Sequence, residues 1–95
     1  MSSASRTAFV IERVVKERRR QDELKAAGRF RFTCADYGML DADKLCVLTE
    51  EVGEVAREVL SLATLVTDGA GKREALRQEL VQVAAIAVAW IEALE

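Results

Sequence analysis

Proline is absent from this 95-residue sequence, and only five of its residues are glycine. Because proline breaks helices and glycine weakens them, their scarcity beside abundant alanine, valine and leucine favours helices over a sheet. A chain of this length is enough for one domain and not for two. We therefore expect a single all-α domain over residues 1–95.

Histidine is also absent, and there are only two cysteines, Cys34 and Cys46. Two cysteines without histidine do not supply the ligand set of a typical zinc site. The sequence has no secretory apolar stretch and no processing site, so we expect a cytoplasmic protein with reduced thiols. Cys46 is predicted to be a small core residue, and Cys34 is assigned no role.

The sequence lacks both a long apolar run and an excess of basic residues. Its longest apolar run, residues 83–91, is well short of the roughly 20 residues that span a bilayer. The formal net charge of −2 does not fit a general nucleic-acid binder, which concentrates basic residues on one face. Neither a membrane nor a nucleic acid is therefore expected as a partner.

Apolar periodicity and turn residues predict three main helices. The predicted spans run from a Ser3 or Ser5 cap to about Ala26, from about Ala42 to Val66, and from about Lys72 to Leu94. Gly28 is expected to end the first helix, and Asp41 or Asp43 to cap the second. Residues 67–71 form a short turn by composition, so the second and third helices are predicted to pack antiparallel.

The third helix carries more apolar surface than the other two helices of one short chain can cover. The predicted core positions of the second helix are Leu45, Leu48, Val52, Val55, Val59, Leu62 and Val66. The third helix is apolar on nearly every side from Val81 onward, and such a helix is buried all round. We therefore expect a homodimer, or a tetramer built from dimers, to complete the bundle.

Polar residues interrupt the apolar pattern of both helices. Glu50, Glu51 and Glu54 lie close together on the second helix, and Glu79 and Gln82 are three residues apart on the third. If the helices pack antiparallel the two groups converge, and carboxylates that close repel unless a cation neutralises them. A hard divalent ion such as Mg²⁺ is the expected occupant. The alternative is an ordinary solvated acidic face.

This arrangement resembles the MazG-like, all-α nucleoside triphosphate pyrophosphohydrolases, whose signature is Glu-Glu-x-x-Glu on one helix and Glu-x-x-Asp on the next. The chain has Glu50-Glu51-x-x-Glu54, a 24-residue interval, and Glu79-x-x-Gln82. The resemblance covers about residues 12–94 and includes Glu17-Arg18-x-Arg20-Gln21, Lys25 and Lys44. It departs from the family pattern at Gln82, where the family usually has aspartate.

The resemblance implies an enzyme that uses Mg²⁺, or Mn²⁺, to split a nucleoside triphosphate into the monophosphate and pyrophosphate. Glu51, Glu54 and Glu79 would then hold the metal, and Gln82 would offer a carbonyl oxygen. Glu50 would orient or deprotonate the attacking water, or help to hold a second ion. The candidate contacts to the triphosphate are Arg20, Gln21, Lys25 and Lys44.

Two other functions stay open from the sequence. Gln82 lowers the charge of the site by one relative to the family pattern, which suits a catalytically weak or inactive MazG-like module for oligomerisation or regulation. The basic stretch near Arg18 suits a helical adaptor that binds an acidic partner, although the charged run 16–23 also fits a solvated, salt-bridged face.

Phe30, Phe32 and Tyr37 lie in the irregular segment between the first two helices, where they either cap the bundle core or supply one ring that stacks on a nucleobase. Gly53 lies within the second helix, where glycine costs about 1 kcal/mol relative to alanine. It is either merely tolerated or required by the close approach of a neighbouring backbone or a ligand.

Overall fold

The structure, a computed structural model, describes residues 1–63 and 70–95. It consists of three helices, α1 (Ser3–Ala26), α2 (Asp41–Ala63) and α3 (Ala70–Leu94). The described residues contain no strand, so the prediction of an all-α chain with three main helices is confirmed. The predicted end of the second helix at Val66 and most of the predicted turn lie outside the described residues.

Local hydrogen bonds define both ends of α1. The N-cap is Ser2 rather than Ser3 or Ser5, and its hydroxyl accepts a hydrogen bond from the Ser5 backbone N–H at 3.1 Å. At the other end, Gly28 adopts a φ of +77°, which a residue with a Cβ adopts only at a cost. The prediction that Gly28 ends the helix is confirmed.

The segment between α1 and α2 is fastened to the end of α1 through one carboxylate. Asp36 accepts a hydrogen bond from the Thr33 backbone N–H at 2.8 Å and forms an ion pair with Lys25. Both contacts hold the pKa of Asp36 below its usual value, with Lys25 as the larger cause. The rings that precede and follow this anchor are thereby placed beside the helices.

Asp41 begins α2 and is therefore not its N-cap, nor is Asp43; Leu40 precedes the helix. The Asp41 carboxylate instead accepts a hydrogen bond from the Trp90 indole N–H at 2.9 Å. This bond joins the start of α2 to the end of α3, while Glu51 lies near Glu79 further along the same pair. The two helices are thus antiparallel, as predicted.

α3 is the central helix. Both α1 and α2 pack on it, and they do not pack directly on each other in the part of the chain that the structure describes. The buried apolar residues are few and mostly small: Val14, Cys34, Ala85, Ile86 and Ala89. Partly buried neighbours extend this core on its α2 side: Ala35, Met39, Val47, Leu48 and Trp90.

Ion pairs complement this thin apolar contact between α1 and α3. Arg18 is 7% exposed, and its guanidinium donates to Glu92 on α3 at 2.8 Å and to Asp22 on α1 at 2.9 Å. Arg13 bonds Glu74 of α3 at 2.8 Å. The charged run of α1 is therefore partly turned inward, and Arg18 is already engaged rather than free for an acidic partner.

Several predicted core positions of α2 lie on the surface of the single chain. Leu45, Val52 and Val59 are each about half exposed, and Cys46 is exposed rather than a core residue. Leu45, Val52 and Val59 follow a stripe of α2 that the single chain leaves partly uncovered. A Cβ at Gly53 would meet nothing within 4 Å, so no neighbouring backbone of this chain explains that glycine.

The accessible surface area of the chain is larger than that of a typical compact monomer of the same mass. Its accessible area is 6767 Å², whereas a compact monomer of 10.5 kDa is expected to have about 5,400 Å². Further exposed apolar side chains lie along α3: Leu80, Val88, Ile91 and Leu94. No helix of the described residues is long and apolar enough to cross a membrane.

Replacing Arg18 by alanine is expected to lower the free energy of unfolding by about 1–3 kcal/mol, because the guanidinium and its buried stem both hold α1 on α3. Urea denaturation followed by circular dichroism measures this change. Arg19→Ala alters the exposed neighbour and is the matched control, expected within about 0.5 kcal/mol of the unaltered chain. Equal losses in the two variants would contradict the prediction.

Candidate functional site

Two carboxylates from different helices meet at the α2–α3 contact. Glu79 of α3 lies close enough to Glu51 of α2 to raise the pKa of its carboxyl. The Oε2 atom of each is buried, and neither has a hydrogen-bond partner. A buried oxygen without a partner costs free energy, and more so when it is charged. The sequence prediction that these two residues converge is confirmed.

The surroundings of Glu51 disfavour its charged form. Burial raises the pKa of its carboxyl most, followed by the contact with Glu79 and by the negative charges of Glu54 and Glu17. Three other carboxylates, one from each helix, are therefore close enough to affect the proton of Glu51. An added cation would reverse this effect by favouring the charged forms.

A cavity of about 240 Å³ opens beside this acidic group. Its lining includes the apolar residues Phe30, Phe32 and Met39 together with the polar residues Glu51 and Gln82. Its complete lining also includes Glu17, Arg20, Gln21, Thr33, Cys34, Val47 and Ile86. The cavity thus combines flat apolar rings with a few polar groups, as small-molecule sites do.

A second, wider cavity of about 460 Å³ lies on the α1–α3 side. Its lining is rich in basic groups, with Arg13, Lys16 and Arg20 on α1. Glu17, Arg20 and Gln82 line both cavities, so the two spaces adjoin each other. Together they are hereafter called the two-cavity site, in which one cavity contains the aromatic residues and the other most of the basic ones.

The predicted acidic residues are only partly brought together. Glu54 contributes to the negative charge around Glu51, but its carboxylate is paired with Arg57. Glu50 is exposed and lines neither cavity. Gln82 lines both cavities, whereas Glu54 and Glu79 line neither.

Of the four predicted phosphate contacts, two line the cavities and two do not. Arg20 and Gln21 line the aromatic cavity, and Arg20 also lines the basic one. Lys25 is paired with Asp36 and lines neither cavity. Lys44 is 2% exposed and also lines neither. Its ammonium lies near Asp36 and Cys34 in the interior, so the structure does not place it as a phosphate contact.

The three rings of the segment between α1 and α2 are all exposed to some degree. Phe30, Phe32 and Tyr37 are 39%, 50% and 81% exposed, and none belongs to the core cluster. Phe30 and Phe32 instead line the cavity, while Tyr37 does not. The cavity that Phe30 and Phe32 line is also bordered by the core residues Cys34 and Ile86, so both interpretations of these rings stay predictions.

Sequence reasoning assigned no role to Glu17, Lys16 or Glu58. Glu17 and Lys16 line the two-cavity site, and Glu58 carries a further buried Oε2 atom without a partner. Their only signal in the sequence is spacing: Lys16 and Glu17 precede Arg20 by about one turn, and Glu58 follows Glu54 by one turn. That spacing is common on ordinary helices, so it does not single them out.

The described residues contain no group of three or more acidic, cysteine or histidine side chains already placed around a metal position. The donor chemistry nevertheless suits a hard divalent ion, because the buried oxygens of Glu51 and Glu79 are unpartnered and carboxylate oxygens are the ligands that Mg²⁺ prefers. No known protein family, curated protein or solved structure matches this chain.

Glu51→Gln is expected to stabilise the metal-free protein at neutral pH and to change it little near pH 4. A carboxyl whose folded pKa is raised costs stability only as it ionises. The loss therefore begins as the pH rises above the ordinary value of 4.5 and is complete above the raised pKa of Glu51. Melting temperatures of both proteins in EDTA across this range measure the difference.

Other carboxyls make the protein more stable as the pH rises, which is the opposite of the effect of Glu51. Both proteins contain these carboxyls, so they do not alter the difference between the two melting temperatures. Arg77 and Lys25 hold the pKa values of Glu74 and Asp36 below the usual range, so their contribution is lost as the pH falls through those lowered values. Glu50→Gln, at an exposed position, is the control. If both variants follow the unaltered chain in parallel, the unfavourable charge is not at Glu51.

Proposed function

We propose that this chain is a MazG-like, Mg²⁺-dependent hydrolase that splits a nucleoside triphosphate into the monophosphate and pyrophosphate. The observation that carries the proposal is the pair of buried, unpartnered oxygens on Glu51 and Glu79, of which Glu51 also lines the aromatic cavity. The resemblance of residues 50–54 and 79–82 to the family signature supports it. Mn²⁺ is a possible substitute for Mg²⁺ because it accepts the same ligands.

In this proposal Glu51 and Glu79 are the principal metal ligands, with Glu54 and the amide oxygen of Gln82 beside them. Glu54 would exchange its ion pair with Arg57 for the metal. The bound ion would stabilise negative charge on phosphate oxygens and lower the pKa of a water molecule. Neutralising the carboxylates also removes the repulsion that raises the pKa of Glu51 in the metal-free chain.

The two cavities suit the two ends of a nucleotide. Arg20 and Lys16 line the basic cavity and would pair with phosphate oxygens through charge-assisted hydrogen bonds. Phe30 and Phe32 line the aromatic cavity and would stack on the base. Glu17 and Gln82 lie where the cavities adjoin, which is where the cleaved bond would lie.

The role predicted for Glu50 stays a prediction. Its exposed side chain lies one helical turn before Glu54, so it must turn toward that residue to orient a water molecule or hold a second ion. Gln82 and the exposed Glu50 favour the second candidate function, a weakly active or inactive MazG-like module for oligomerisation or regulation. Turnover separates the two functions.

Millimolar Mg²⁺ is expected to raise the melting temperature and to support pyrophosphate release from nucleoside triphosphates. At about 100 times its dissociation constant, bound metal stabilises a protein by about 2.7 kcal/mol. Glu79→Gln should abolish both effects, whereas Lys25→Ala should preserve them because Lys25 lines neither cavity. Metal binding without turnover on any common nucleotide would favour the module, and the absence of both would refute the metal site.

We also infer that the chain functions as a homodimer, or as a tetramer built from dimers. The accessible area exceeds that of a compact monomer by about 1,300 Å², which is more than the roughly 800 Å² that each partner buries in a standard interface. The exposed stripe of α2 offers Leu45, Val52 and Val59 at seven-residue spacing. A second copy would cover this stripe and complete the bundle.

Val52→Lys is expected to shift the protein toward monomer at micromolar concentration, because a charge in the centre of an apolar interface is not compensated there. Sedimentation velocity measures the change. Ala26→Lys adds the same charge at an exposed position at the end of α1 and should leave the assembly unaltered. A folded, monomeric unaltered chain would refute the inference.

A further inference from the structure

One face of α2 follows an uninterrupted seven-residue repeat in two rows, hereafter the heptad face. One row contains small residues and the other larger apolar ones, and every member of both rows is exposed in the single chain. The small row is Ala42, Thr49, Ala56 and Ala63, and the large row is Leu45, Val52 and Val59. Their alternate steps of three and four residues place both rows on one side of the helix, as in the core positions of a coiled coil.

Gly53 lies beside the heptad face and is also exposed. Glycine destabilises the interior of a helix relative to alanine. A Cβ at this position would meet nothing within 4 Å, so no contact within the described chain accounts for the glycine. A second helix that packs on this face from outside would account for it, because small residues allow two helix axes to come close together.

The heptad face has the composition and the area of a contact between copies of this chain. None of its residues is charged, although 32% of the residues in the sequence are, so it offers no charge to a charged partner. The accessible area of the chain exceeds that of a compact monomer by about 1,300 Å². This excess is more than the roughly 800 Å² that each partner buries in a standard interface.

The order of the two rows makes the heptad face complementary to itself in the antiparallel orientation. Each large residue of one copy can then lie opposite a small residue of the other: Leu45 opposite Ala63, Val52 opposite Ala56, and Val59 opposite Thr49. A parallel pair would instead place large residues on large ones and small residues on small ones. Crowded layers would then alternate with cavities, and both destabilise a packed contact.

We propose that α2 packs antiparallel on α2 of a second copy, with Val52 of each copy opposite Ala56 of the other. The proposal rests on the homodimer inferred above and does not depend on the metal site. Such a contact has two-fold symmetry and uses the same face of both subunits. Gly53 lies one residue from the midpoint between Val52 and Ala56, so it is next to the two-fold axis, where the two helices are closest.

Disulfide cross-linking tests the orientation and the register. Thr49→Cys and Val59→Cys are combined with Cys46→Ser, which removes the exposed native thiol. Oxidation with copper phenanthroline should convert this variant to a covalent dimer on a non-reducing gel. The two positions are about 15 Å apart along one helix, which is too far for a disulfide within the chain. Either cysteine alone lies about as far from its own counterpart in the antiparallel pair, so the single variants should not cross-link.

Sedimentation velocity over a range of concentrations tests the role of Gly53. Gly53→Gln is expected to weaken association by at least about tenfold, because an added side chain overpacks a close contact. Gly71→Gln is the matched control, since a Cβ at Gly71 also meets nothing within 4 Å and this exposed glycine lies on α3. It should associate as the unaltered chain does. Circular dichroism checks that each variant is folded.

Each other result overturns a defined part of the inference. Cross-linking of either single variant as efficiently as the double variant would show a parallel pair. If no variant cross-links while the unaltered chain is a dimer in sedimentation, the dimer uses another surface and the role of α2 is refuted. Equal association of the two glycine variants would refute the role of Gly53. If the unaltered chain is a folded monomer, the homodimer itself fails, whereas the proposed hydrolase activity is judged by turnover alone.

Discussion

The close approach that alanine permits along α3 is the constraint on which the rest of the structure depends. Ala85 and Ala89 are completely buried, and Ile86 beside them is nearly so. Because alanine has so short a side chain, helices pack near the lower limit of their usual 8–10 Å separation wherever it lies between them. Both α1 and α2 pack on α3, and acidic residues of all three helices lie near Glu51.

This geometry forces carboxylates inward at a cost that the small core does not easily offset. The core contains only five buried apolar residues within the described chain, and three of them are alanine or cysteine. Ion pairs at Arg13 and Arg18 compensate in part by joining α1 to α3. A chain with so small a core keeps unpartnered Glu51 and Glu79 only at the expense of stability, and such expense is typical of binding and catalytic sites.

The helices and their antiparallel pairing could be predicted because composition, apolar spacing and turn residues all indicate the same structure. The convergence of Glu51 and Glu79 follows from that pairing, and so it was predictable too. The neighbours of individual side chains were not. Leu45 was predicted to be buried and is 53% exposed, whereas Lys44 was predicted to reach a phosphate and is 2% exposed.

The exposure of Leu45 and the burial of Lys44, both opposite to the prediction, have a physical cause. Periodicity identifies a stripe of apolar residues on α2, but it does not tell whether the stripe meets another helix of the same chain. α2 instead turns Val47 and Leu48 to the core, and the stem of Lys44 is enclosed there as long side chains allow. The role of α1 in the acidic group was hidden for a similar reason, since Glu17 becomes an inward residue only through the packing of α1 on α3.

The hydrogen bond from Trp90 to Asp41 makes intrinsic tryptophan fluorescence a probe of the packing of α2 on α3. Trp90 is the single tryptophan of the sequence, and it is partly buried where the end of α3 meets the start of α2. A carboxylate hydrogen-bonded to the indole N–H makes the emission of that ring sensitive to whether the two helix ends are docked. Fluorescence from the unaltered chain therefore reports the assembly of this one helix pair, without an added label.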